Sequence, residues 1–228
     1  MRTRSVRVIV AVCAALVAAC APVKPPPAPP APATEVPAPV RLPPPPEPAP
    51  KPEPIVLSWD RSPQRAEWSR ALIDAIRSRK SDLDAGHPDD FIPGYAQLSS
   101  EGQVKFWAEF VIAIAKYEST WDPHAHFKEP PPLKVESVGL LQIAYEDDKE
   151  YHFDPPLDRN AKSLEDPATN LRCGVAILAQ LVSHDGTVAA GKGDHSRGAA
   201  RFWAVLREGK SHKLAAIKAL TKKHSGIP

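Results

Sequence analysis

The sequence carries no surplus of either charge. Across 228 residues, 29 Lys and Arg stand against 27 Asp and Glu. Residues 1–54 hold six of the basic and three of the acidic side chains, so the remainder carries 23 and 24, a formal −1. So neutral a domain argues against general nucleic-acid binding, which requires a phosphate-neutralising surface, and less strongly against local basic patches. Cysteine is scarce too, with three in the chain and only Cys173 beyond residue 54. One thiol forms no internal disulfide. Cys173 lies in an apolar helical pattern and reads as a buried structural thiol rather than a nucleophile. No run alternates polar and apolar well enough to support a large sheet. The apolar run from Val8 to Val17 is too short to span a bilayer comfortably.

Proline is abundant but confined, with 17 of 28 between Pro22 and Pro54. Proline fixes φ and removes the backbone donor, so this stretch forms neither helix nor sheet. It reads as a disordered, extended, semi-rigid tether; 34 residues at about 3.1 Å each reach on the order of 100 Å. Before it, Arg2, Arg4 and Arg7 precede the apolar run, and Ala18, Ala19 and Cys20 follow, the layout of a cleavable secretory signal. The chain thus divides into a signal over 1–19, Cys20 and a Pro-rich linker over 20–54, and one folded domain over 55–228. About 174 residues suffice for a domain with its own core.

Periodicity makes that domain mostly α. Trp68, Ala71, Leu72, Ala75 and Ile76 recur at helical spacing between Ala66 and Arg79. Residues 82–94, broken by Pro88 and Pro93, read as a loop. A capping box of Ser100 and Gln103 opens a strong helix. Val104, Trp107, Val111, Ile114 and Ala115 form its stripe, which Phe106 and Phe110 widen, so this helix belongs at the centre. The stretch from Trp121 to Val135, holding Pro123 and Pro130 to Pro132, reads as irregular. Asp166 and Pro167 announce a further helix to Val182, with Asp166 as cap and Pro167 at its first position. Ala199 to Arg207 and Lys213 to Lys222 suggest two closing helices.

Glu118 ends the central helix. A carboxyl there costs free energy unless exposed or paired. The helix C-terminus disfavours its ionised form, and partial burial pushes its pKa up as well. A carboxyl that still holds its proton near neutral pH suits general acid catalysis. The competing reading is a solvated helix-end residue. His124 and His126 are close, but neighbouring loop histidines without further ordered ligands make no metal site, and no cofactor is expected.

The run Ala115-Lys116-Tyr117-Glu118-Ser119-Thr120-Trp121-Asp122-Pro123 resembles the E-S-x-x-x-P element of soluble lytic transglycosylase-like (SLT) domains. Ser137-Val138-Gly139-Leu140-Leu141-Gln142-Ile143 resembles their S-x-G-L-x-Q element. Asn170-Leu171-Arg172-Cys173-Gly174-Val175-Ala176-Ile177-Leu178 resembles their N-L-x-x-G-x-x-x-L helix. Each is weak alone; all three in order make a specific match. The resemblance implies a lysozyme-like α fold that binds peptidoglycan glycan strands. It implies that Glu118 protonates the glycosidic oxygen between N-acetylmuramic acid and N-acetylglucosamine. The same glutamate then assists attack by the muramyl C6 hydroxyl, leaving a 1,6-anhydro end. Ser119, Ser137, Gly139, Gln142, Tyr145 and Asn170 are expected to form the substrate site: Ser119 by positioning the catalytic turn, Ser137 by a hydrogen bond to sugar or Glu118, Gly139 by a tight turn and close substrate approach, Gln142 by ordering the loop and contacting sugar, and Asn170 by binding the backbone of a neighbouring loop. Gly174 is expected to let two helices pack closely.

The match has departures. The A-Y-N element that such domains often carry is here Ala200-Arg201-Phe202-Trp203-Ala204, which leaves Tyr145 or Trp203 to supply the missing contact. Most glycosidases flank the scissile bond with two carboxylates. Here Asp122, Glu136 and Glu146 are the candidates for a second, which would favour a lysozyme-type hydrolase. A non-catalytic peptidoglycan-binding lipoprotein is the remaining alternative. Val17-Ala18-Ala19-Cys20 resembles the lipobox of bacterial lipoproteins. That resemblance implies lipidation at Cys20, each buried methylene adding about 0.8 kcal/mol to membrane binding. The absence of Asp after Cys20 points to the outer membrane, on its periplasmic side.

Overall fold

The computed structural model describes residues 54–131 and 135–227. The signal, Cys20 and the linker as far as residue 53 lie outside the described residues.

Among the described residues seven α-helices carry the domain: α1 Arg65–Ser78, α2 Lys80–Asp84, α3 Pro88–Phe91, α4 Ser100–Glu118, α5 Asp148–Tyr151, α6 Pro167–Asp185 and α7 Leu214–Ser225. The stripe of α1 buries Leu72, Ile73 and Ile76, and α1 packs on both α4 and α6. The stretch 82–94 is not a plain loop. Its prolines limit helices rather than forbid them: Pro88 opens α3 at a first-turn position, where its missing N–H costs nothing. Buried Leu83 and Phe91 anchor α2 and α3 to the core.

The central helix is α4, as its apolar circumference requires. Every residue from Phe106 to Ala115 is buried, with α7 along one side. Its cap is Ser99, one residue earlier than expected. Ser99 is extended and its hydroxyl accepts from the Gly102 N–H at 3.1 Å, while Ser100 is already helical. At α6 the Asp166 carboxylate accepts from the Thr169 N–H at 2.8 Å and Pro167 starts the helix. That helix runs three residues past Val182, to a left-handed Gly186. Cys173 lies buried on it, its thiol pushed up to about 12 by desolvation.

The irregular stretch after Glu118 contains order of its own. Strands β1 His126–Lys128, β2 Glu136–Val138 and β3 Ile143–Ala144 make a three-stranded antiparallel sheet. Phe127 sits opposite Ser137 in it. Strands of two or three residues are too short to display an alternating pattern, which is why periodicity missed them. A second small pair joins β4 Ala189–Ala190 to β5 Arg197–Gly198. The helix expected over Ala199–Arg207 is two 3-10 turns, Ala199–Arg201 and Ala204–Leu206. Between them Trp203 takes an extended backbone and is buried.

Candidate active site

Three separate stretches of sequence converge on the turn 139–142. Gly139 enters it at φ +77°, and a Cβ there would lie 2.4 Å from Asn170 Nδ2 and 2.5 Å from the Leu164 carbonyl oxygen. Only glycine fits. Asn170, fully buried, then binds the turn on both sides. Its Oδ1 accepts from the Leu141 N–H at 2.9 Å, and its Nδ2 donates to the carbonyls of Val138 (2.9 Å) and Leu164 (3.0 Å). From α4, the Ser119 hydroxyl donates to the Leu140 carbonyl at 2.9 Å. Trp203 Nε1 donates to the Leu141 carbonyl at 2.9 Å. Gly174 faces the same turn, its missing side chain occupied by Leu141 Cδ1 2.1 Å from where a Cβ would stand. Gly174 therefore admits a loop leucine, rather than a second helix as expected.

These contacts give Ser119, Gly139 and Asn170 the turn-holding parts expected of them. Asn170 and Gly139 are buried and hold the turn. Ser119 ties the end of α4 to the turn. Tyr145 lies away from the Glu118 pocket, its hydroxyl accepting from the Leu164 N–H at 3.2 Å and Arg159 over its ring. Trp203 is core. Of the expected residues, Glu118, Ser137 and Gln142 come together around one pocket of about 350 Å³. Gln142, at φ +50°, is fixed by Nε2 donating to the carbonyls of Gly139 (2.8 Å) and Ala125 (3.2 Å).

Glu118 is half-buried, and its carboxyl is pushed up to about 7 by desolvation alone. Among the described residues no side chain or backbone group hydrogen-bonds to it. The chain just beyond is bent back hard, with Thr120 and Trp121 both left-handed (φ +55° and +63°). Trp121 Nε1 donates to the Ile112 carbonyl at 3.0 Å, folding the indole onto α4. Such consecutive left-handed residues store strain that surrounding contacts must hold. The strand β1 follows, and its Phe127 lines the pocket.

Five lining residues were not among those expected: Phe127, Glu129, Phe202, Ala204 and Val205. Phe127 is 55% exposed, an unusual position for a large apolar ring. Phe202 stands within the segment that lacks the family's A-Y-N tyrosine, one residue before Trp203. Glu129 sits just past β1, and its N–H donates to the Val135 carbonyl at 2.8 Å. The acids first considered as second carboxylates are elsewhere. Glu136 meets His126 at 3.2 Å, Glu146 meets Arg159 at 2.7 Å, and Asp122 accepts from the His124 N–H at 2.9 Å. His124 and His126 both contact Glu165, at 3.0 and 3.4 Å.

Residues 98–200 match the family model of the transglycosylase SLT domain. Three solved structures of one protein, Bd0314 DslA, are similar. The wild-type form 2 has a TM-score of 0.66 at 29% identity over 76% of this chain and 98% of that one. Two variants with one glutamate each changed to glutamine give TM-scores of 0.63 (28% identity) and 0.60 (26% identity) over the same shares. The two altered glutamates are eleven positions apart in that chain. No curated protein matches.

Proposed function

Through residues 98–200 the chain belongs to the transglycosylase SLT domain family, and from that premise we propose that Glu118 cuts peptidoglycan to leave 1,6-anhydromuramyl ends. The family supports a lytic transglycosylase-like action on peptidoglycan; the product and the residue roles are our reading. One observation carries it: a carboxyl with a pKa of about 7, without a bonding partner among the described residues, lines an open pocket. Such a group carries a proton at neutral pH and has nothing else to do with it. Glu118 donates that proton to the oxygen linking muramic acid to glucosamine. It then accepts the C6 hydroxyl proton as that oxygen closes on the anomeric carbon. The tethered hydroxyl already has a high effective concentration. Ser137 and Gln142 supply hydrogen bonds to sugar, and Phe127 and Phe202 supply apolar faces.

Glu118 and Glu129 are eleven positions apart, the interval of the altered glutamates in the similar protein. This supports locating the reaction between them. Lipid on Cys20 anchors the domain to the outer membrane and the Pro-rich tether lets it reach the wall. Membrane fractionation of Cys20→Ala tests the anchor: the variant is expected in the soluble fraction. For the chemistry, wild type and Glu118→Gln are incubated with purified sacculi and the released fragments weighed by mass spectrometry. Wild type is expected to release anhydro muropeptides and the variant none. Equal release by both would sink the assignment.

A further inference from the structure

The cleft holds two acids, and only one has been given work. Glu129 extends the β1–β2 ladder by one step through its N–H bond to Val135. Alternate residues of a strand share a face, so Glu129 lies on the face that carries Phe127. Cross-strand pairing puts Ser137 on that face too. All three line the pocket of Glu118. The hairpin therefore presents a ring, a hydroxyl and a carboxyl to the end of α4.

Their settings differ as a working pair's should. Glu118 sits inside, desolvated, on a rigid helix. Glu129 sits at the rim, partly exposed, where water reaches it. Where two carboxyls flank a glycosidic bond, one protonates the leaving oxygen and the other serves the attacking water.

We propose that Glu129 is the second carboxylate of this cleft and gives the domain a hydrolytic branch beside the intramolecular one. The inference rests on Glu118 being the acid. Glu118 transfers its proton to the bridging oxygen, and the bond from that oxygen to the anomeric carbon breaks with its electron pair on oxygen. The carbon is left cationic, and the Glu129 carboxylate stabilises it. In the intramolecular branch the C6 oxygen attacks and its proton returns to Glu118. In the hydrolytic branch a water oxygen attacks and its proton passes to Glu129. Solvent then carries a proton from Glu129 back to Glu118. One water is consumed and a reducing end is formed.

Digestion of sacculi in ¹⁸O-labelled water separates the branches, because only the hydrolytic product takes label at the anomeric carbon. Wild type is expected to release both anhydro ends and labelled reducing ends. Glu129→Gln is nearly isosteric and half-exposed, so circular dichroism should show it folded. It should lose labelled ends at least tenfold, with anhydro ends falling less. Glu129→Asp should restore part of the label. Wild type giving anhydro ends alone would overturn the inference and leave the Glu118 reading intact. So would a Glu129→Gln product ratio within twofold of wild type. Release by Glu118→Gln equal to wild type would instead overturn the reading beneath it.

Discussion

Two glutamates on one helix meet opposite fates. Glu109 and Glu118 both belong to α4, both are desolvated, and burial raises the pKa of each. Glu109, 2% exposed, is engaged: Ser58 donates to it twice, from N–H at 2.7 Å and from the hydroxyl at 2.6 Å. Those bonds, with the charges of His224 and Lys105, pull its pKa back down. Glu118 has no such opposition; both acids border pockets, so it is the bonding partner and not the opening that separates them. A raised pKa alone therefore does not mark a catalytic acid. The acid free to use its proton is the one that desolvation acts on without a partner.

The largest test of this contrast is rate. Glu118→Ala is expected to lower muropeptide release by about 10²- to 10⁴-fold, the scale of a general acid. Glu109→Ala should stay within about threefold of wild type, provided it is folded at the assay temperature. Comparable losses in both would erase the distinction. The pH profile comes next. Release needs protonated Glu118, so it should fall as pH rises through about 7 and approach a tenfold loss per unit above it. Turnover that climbs steadily to pH 9 would mean that the acid lies elsewhere.

The sequence could not separate these two acids by periodicity. Both sit in one apolar helix, and only the motif around Glu118 set it apart; Glu109 drew no attention because its partner Ser58 is 51 residues away. Helices α4 and α6 were legible because each has a side-chain cap and a long apolar stripe. The turns after Ala199 were not, because Trp203 is pulled out of helix to reach the Leu141 carbonyl, a contact 62 positions distant. Glu129 escaped for a similar reason. Its role depends on a three-residue strand pairing across a proline-rich excursion, and nothing local announces that pairing.

The turn beneath both pocket acids offers the next largest effect, on stability. Asn170→Ala removes three buried hydrogen bonds and strips the Leu141 N–H of its acceptor. At about 1–3 kcal/mol for an unsatisfied group, with two further bonds lost, a loss of roughly 4 kcal/mol in urea unfolding is expected. A loss below about 1 kcal/mol would show that the turn stands without it.

The smallest effects close the contrast. Glu109→Ala strips Ser58 of both acceptors and should cost about 2 kcal/mol. Glu118→Ala strips nothing of a partner and relieves a desolvated carboxyl. Its sign follows from linkage. A carboxyl whose folded pKa exceeds its unfolded value binds more protons when folded. Its contribution is therefore complete below the ordinary value of 4.5 and declines as pH rises to about 7. The gap between those two values corresponds to roughly 3 kcal/mol at most. Partial exposure reduces that, so about 1–2 kcal/mol is the expected change. Wild-type stability minus that of Glu118→Ala should fall by this amount between pH 4.5 and 7 and then level off. A difference that stays flat across that interval would mean that Glu118 is solvated like any surface acid.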